Sequence, residues 1–235
     1  MTRKMLVFSL LAQFVLAAIF ALYHPALAGP PLICWPFDIG NAKSLPFEGP
    51  GWRATKADYD PGKLVGDTLA LLLPETPVIV RMETLRRATI YASKDPRSAK
   101  ELLARLQTRA TEAEAKGRPA ALASFDAGYL IECYKQANGM FAQPNPALGM
   151  DGYGLVQKAI RQRGRDPEVE FAAAMITITV EGAARKNFND HLQKALAGAA
   201  EGSLLAKNLV RQAQLLRLQG KTIAELRSYA GIAKN

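Results

Sequence analysis

The chain has 235 residues, with 30 lysines and arginines against 21 acidic residues, and only two histidines and two cysteines. That length suffices for one domain with a sizeable core. So few histidines exclude a multi-histidine metal site, and no C-x-x-C, G-x-x-x-x-G-K-S/T, G-x-G-x-x-G or G-x-S-x-G pattern anchors redox, phosphate-loop, dinucleotide or hydrolase chemistry.

In chain order, the first element is a positive start, Arg3 and Lys4, followed by an apolar run from Met5 to Leu22 broken only by Ser9 and Gln13. Pro25 and the small residues of Ala26-Leu27-Ala28 complete the pattern of a secretory signal (residues 1–28) cleaved after Ala28. An uncleaved anchor is the competing reading, because the run is near the lower limit of about 17 residues for crossing a bilayer. Ile33 before Cys34 is too bulky for a lipoprotein site. The expected product is a periplasmic or secreted chain with 28 basic minus 21 acidic side chains, or +7, and His191 as its sole histidine. The basic residues are interspersed with acids. They point to a protein or an anionic envelope component as partner before nucleic acid.

Residues 29–59 form a different kind of segment. Prolines at 30, 31, 36, 46 and 50 forbid a long helix, yet Leu32, Ile33, Trp35, Phe37, Ile39, Leu45, Phe47 and Trp52 are too apolar for a solvated tail. The expectation is an extended proline- and aromatic-rich arm packed along the helices. A second reading is a small binding site built from Cys34, Trp35, Phe37, Asp38 and Lys43; a third is an arm that docks a partner. Cys34 and Cys133 are an even pair in an oxidising compartment, which makes a disulfide between them plausible. It would close a loop of about a hundred residues and stabilise by up to ~4–5 kcal/mol. The alternative is a buried free thiol at Cys133, which lies among Tyr129, Leu130, Ile131 and Tyr134.

The string Pro31-Leu32-Ile33-Cys34, Phe37-Asp38-Ile39-Gly40 and Ala42-Lys43-Ser44-Leu45-Pro46-Phe47 resembles a motif of exported bacterial proteins whose activity is uncharacterised. In those a histidine often follows the cysteine, where Trp35 stands here. The resemblance covers fewer than twenty residues and implies export, with no activity or cofactor to carry over.

From residue 60 to 235 the sequence reads as one helical domain. Asp60-Pro61, Thr76-Pro77, Asp95-Pro96 and Asp166-Pro167 place a capping side chain before a proline, and Thr222 to Glu225 adds a capping box. Gly117, Gly139, Gly164 and Gly220 mark stops. Apolar residues recur at helical spacing, as in Val80, Leu85, Ala88 and Ala92, or Ala99, Leu102, Leu103, Leu106 and Ala110. The β-branched run Ile176 to Val180 reads as helix from its Asp-Pro cap and alanine-rich start. Helices are expected to begin at 61, 77, 96, 119, 152, 167, 188, 203 and 222. Alternate starts near 36 residues apart, and the segment Ala123 to Tyr129 with its small residue, resemble a tetratricopeptide helical hairpin. The tryptophan and terminal proline of that repeat are absent. The fold class expected is all-α, an array or bundle of about eight antiparallel helices behind the arm.

Among candidate chemical groups, His191 sits in Asn189-Asp190-His191-Leu192, which reads as an exposed polar helix turn. Glu132, between apolar residues, is the candidate perturbed carboxylate, with an ion pair to Lys135 as its structural alternative. The long connection from Phe141 to Gly154 is the one functional-length loop. These features lead to an exported non-catalytic scaffold that binds a protein or an envelope component, with no cofactor and no metal. The competing function is a cell-envelope hydrolase acting on glycan or peptide through a carboxylate pair. A thiol-dependent role at Cys34 is a third.

Overall fold

A computed structural model describes residues 29–116, 121–178 and 185–232; the expected signal at 1–28 lies outside them. The fold is all-α, as expected. After a short turn of helix, α1 (Pro31–Cys34), and a 3-10 turn (Pro61–Lys63), come α2 (Leu64–Leu71), α3 (Val78–Ala92), α4 (Pro96–Ala115) and α5 (Ala121–Gln136). They are followed by α6 (Gly152–Arg163), α7 (Pro167–Thr177), α8 (Arg185–Gly198), α9 (Leu204–Arg211) and α10 (Ile223–Tyr229). Among the described residues the sole β-type pairing is a bridge between Phe47 and Thr55.

The helix boundaries follow from local chemistry. Asp60, Asp95, Asp166 and Thr222 each accept a hydrogen bond from an amide of the helical turn they begin, a contribution of about 1 kcal/mol per cap. Thr76 departs from expectation. Pro77 is the N-cap of α3, and the Thr76 hydroxyl instead donates to Leu71 O and accepts from Leu73 N, closing the end of α2. The Ile79 amide of α3 donates to Glu168, in the first turn of α7, at 3.2 Å. Gly164 ends α6 with a positive φ of 69°, Gly139 lies inside a 3-10 turn, and Gly117 is outside the described residues. Ile176 and Thr177 are helical, while Thr179 and Val180 lie outside the described residues. Leu204 and Leu209 are in α9, but Ala213 and Leu216 are buried in a turn after it, where Arg217 adopts φ 59°.

Side-chain pairs give the helix directions. Tyr134 bonds to Ala99 O, setting α5 antiparallel to α4, and Lys135 reaches Met150 O just ahead of α6. A Cβ on Gly128 would lie 2.5 Å from Gly152 O and 2.8 Å from Leu155 Cβ, so this glycine permits the close antiparallel approach of α5 and α6. Gly198 does the same against Pro167 for α8 and α7. Arg81 with Asp126, and Cys133 with Thr89, set α3 parallel to α5; Glu168 on Ile79 aligns the start of α7 with that of α3. The helices therefore form hairpins α3–α4, α5–α6 and α7–α8, with α3, α5 and α7 as one layer and α4, α6 and α8 as the other.

The inner layer is buried nearly all round. In α3 even Arg81, Glu83 and Arg86 are at most 1% exposed. By contrast α4 buries Ala99, Leu102, Leu103, Leu106 and Ala110 and is largely exposed over 111–116, as its sequence stripe requires. The arm lies against the inner layer: α1 packs on α3, α5 and α7. Leu32, Ile33, Phe37 and Leu45 are at most 4% exposed. At ~1.5–3 kcal/mol per side chain their burial contributes on the order of 6–12 kcal/mol before entropy is counted. The arm is thus part of the core, and it begins with a helical turn instead of being extended throughout.

Candidate functional site

The most elaborate polar construction among the described residues holds the arm. Glu83 on α3 accepts four hydrogen bonds: from Arg86 Nε (2.8 Å) and Nη2 (2.9 Å), from Arg87 Nε (2.7 Å) and from the Phe37 amide (3.0 Å). Arg86 then donates to Ile33 O at 2.9 Å and Trp52 O at 3.0 Å, and Arg87 to Leu45 O at 2.7 Å. Both guanidinium groups also lie over the Phe47 ring, 4.7 and 5.1 Å from its centroid.

Other helices extend the pattern. Gln136 of α5 accepts from Leu32 N, and Asn208 of α9 uses both ends of its amide, accepting from Asp38 N (2.8 Å) and donating to Asp38 O (2.7 Å). Just beyond α9, Gln212 donates to Pro36 O. Tyr91 donates to Pro46 O and accepts from Lys56 N. Nearly all of these bonds go to the arm's main chain. This satisfies backbone groups that have no helix or sheet partner, and it holds an irregular segment in a single conformation.

The structure distributes the arm residues singled out in the sequence. Phe37 is in the core, edge-on to Phe171 with centroids 6.0 Å apart. The Asp38 carboxylate accepts from Gly40 N while its main chain is clasped by Asn208. Trp35 is half-buried, and its indole Nε1 has no hydrogen-bond partner among the described residues. Lys43 is exposed, in a turn with Gly40, Asn41 and Ala42. Cys34 is half-buried; burial raises its thiol pKa, against a lowering pull from Arg53 and Arg86. The disulfide expectation is corrected: Cys34 and Cys133 are both free. Cys133 points from α5 toward Thr89 of α3, fully buried, and burial pushes its pKa far up.

A second cluster corrects the reading of His191 as an exposed surface residue. It is 8% exposed and lies between two partners. Its Nδ1 is 2.5 Å from Glu170 Oε2, and its Nε2 is 2.7 Å from the Tyr153 hydroxyl. Lys194 Nζ stands 3.3 Å from the other oxygen of Glu170. Burial pushes the Glu170 carboxyl up, but the hydrogen bond and charge of His191, aided by Lys194, prevail and hold it below the usual range. The Tyr153 phenol is raised, chiefly by burial. The loop from Phe141 to Gly154 delivers Tyr153 to this place, pinned on the way by Asn145, which bonds to Tyr134 O.

Glu132 is buried, and it pairs with Lys135 at 3.0 Å and accepts from the Tyr153 amide at 3.0 Å. The ion-paired boundary role describes it. A third feature is an open cleft of ≈ 730 Å³ lined by Leu72, Arg109, Gln162 and Arg163, with the buried Arg81–Asp126 pair (2.6 Å) in its wall. Burial raises the Asp126 carboxyl to about 6 despite Arg81. Among the described residues no three His, Cys, Asp or Glu side chains gather as a metal-ligand set.

Sequence reading missed Glu83, Arg86, Arg87, Gln136, Asn208 and Gln212. A signal was present: Glu83 and Arg86 stand three apart within the apolar pattern of Val80, Leu85 and Ala88, and Asn208 lies among Leu204, Leu205 and Leu209. Charged or amide groups inside an apolar stripe need buried partners. Comparison of the chain with protein-family models, with curated proteins and with solved structures finds no match.

Proposed function

We propose that this chain is an exported, non-catalytic helical scaffold that binds another protein through the turn its arm presents. The observation that carries the reading is the polar clasp: Glu83, Arg86, Arg87, Asn208 and Gln212 hold main-chain groups on both sides of the exposed turn Gly40 to Lys43. A loop fixed in this way loses little conformational entropy on binding, which favours recognition. Glu132 is already partnered by Lys135 and by the Tyr153 amide, an arrangement suited to structure. Lys43, at the exposed turn, fits an acidic partner surface.

The test places a photo-crosslinking residue at position 42 in the turn or at the exposed position 101 on α4, in cells that make the protein. A discrete protein adduct from position 42 and none from 101 supports the proposal. Equal products from both positions, or a polymer ladder in place of a discrete band, refute it.

A further inference from the structure

Tyr153, His191 and Glu170 stand in the order of a nucleophile, its base and the group that orients the base. The tautomer follows by elimination. The Glu170 carboxylate only accepts, so Nδ1, 2.5 Å from Oε2, is the donating nitrogen, and an imidazole with a single proton carries it there. Nε2 is then an acceptor and takes the Tyr153 hydroxyl proton at 2.7 Å. Lys194, paired with Glu170 but with its side chain 59% exposed, adds a positive charge at the rim. Tyr153 itself is partly exposed.

A purely structural cluster could join three helices with the same bonds. What distinguishes this one is its direction: the phenol faces the ring nitrogen that can take its proton, while Glu170 holds the opposite nitrogen. Burial opposes a standing phenolate. Reaction therefore requires proton transfer as the new bond forms, which a hydrogen-bonded base supplies.

We propose that Tyr153 is a covalent modification site, a base-paired hydroxyl that attacks activated acyl or sulfonyl donors. In the acyl case the Tyr153 oxygen bonds to the carbonyl carbon and its proton passes to His191 Nε2. The bond to the leaving alkoxide then breaks, and that oxygen takes the proton from His191. The inference concerns one covalent event and stands whether or not the presented turn binds a partner.

An aryl sulfonyl fluoride is the probe: an oxygen–sulfur bond forms at Tyr153, fluoride leaves, and the phenol proton goes through His191 to water. Peptide mapping of the intact, folded chain compares labelling at Tyr153 with that at Tyr229, which is 53% exposed. The expected result is labelling of Tyr153 about 100-fold faster, the lower end of what a positioned base contributes. His191→Gln should bring the rate down to that of Tyr229. Glu170→Gln, which keeps an acceptor for Nδ1, should give an intermediate rate and controls for loss of fold. The proposal is overturned if Tyr153 labels no faster than Tyr229. It also fails if the rate follows only phenol ionisation at high pH, or if a folded His191→Gln protein labels as wild type.

Discussion

Replacing Glu83 with leucine removes one carboxylate and exposes how the arm is held. Glu83 is buried beside Arg86, which is itself fully buried, so the substitution leaves a guanidinium charge with the Ile33 and Trp52 carbonyls and the Phe47 ring but no carboxylate. Stranding a buried charge costs about 3–5 kcal/mol. At about 2–4 °C per kcal/mol for a chain of this size, Tm should fall by roughly 6–20 °C. The double variant Glu83→Leu/Arg86→Leu removes both charges and should lose less than the sum of the two single changes, with a coupling of at least ~1 kcal/mol. The assay is urea unfolding followed by two probes. Trp35 and Trp52 are the chain's two tryptophans and both lie on the arm, so fluorescence reports the arm while far-UV circular dichroism reports the helices. In wild type the two transitions should coincide, because the arm is part of the core. Glu83→Leu within ~1 kcal/mol of wild type, or strictly additive single variants, would refute the reasoning.

The close approach of α5 and α6 predicts that Gly128→Ala, whose Cβ meets backbone at 2.5 Å, destabilises by about 1–3 kcal/mol in the same assay. The Asp126 carboxyl is raised to about 6, so the stability it contributes is full below its unfolded pKa near 4 and is lost as pH rises through 6. Wild type should therefore lose stability relative to Asp126→Asn between pH 4 and 7 in parallel denaturation curves; a relative gain would contradict this. Glu170 acts in the opposite sense: its lowered pKa adds stability above its unfolded value, lost as acid protonates it, and Glu170→Gln should flatten that acid limb. For the cysteines, a thiol reagent should find Cys133 inert in the folded protein and two reactive thiols after denaturation, with Tm unchanged by reductant.

Much of this architecture could be read from punctuation and periodicity. Asp95, Asp166 and Thr222 act locally, on amides two or three residues away, so their helices start within a residue of expectation. The stripe from Ala99 to Ala110 needs only one apolar neighbour to bury it. Gly128 signalled a close helix contact because a missing Cβ has few other uses inside a helix. Thr76 misled because its hydroxyl had two local backbone choices, and the closure of α2 won. His191 was misjudged for a different reason. Its neighbours in sequence are polar, but its partners come from residues 153 and 170 and are visible only when α6, α7 and α8 pack together. The clasp on the arm is similarly non-local: Asn208 reaches Asp38 across 170 residues, and no spacing rule links them. The free thiols reflect direction, since Cys133 turns toward Thr89 of α3.

The measurement that tests the arm's role most directly is native-state hydrogen exchange at Leu32, Phe37 and Asp38, whose amides donate to Gln136, Glu83 and Asn208. If these bonds lock the arm and frame the presented turn, the three amides exchange only on global unfolding, as slowly as those in the centres of α3 and α5. Exchange at the rate of an open loop, with α3 and α5 still protected, would contradict the account.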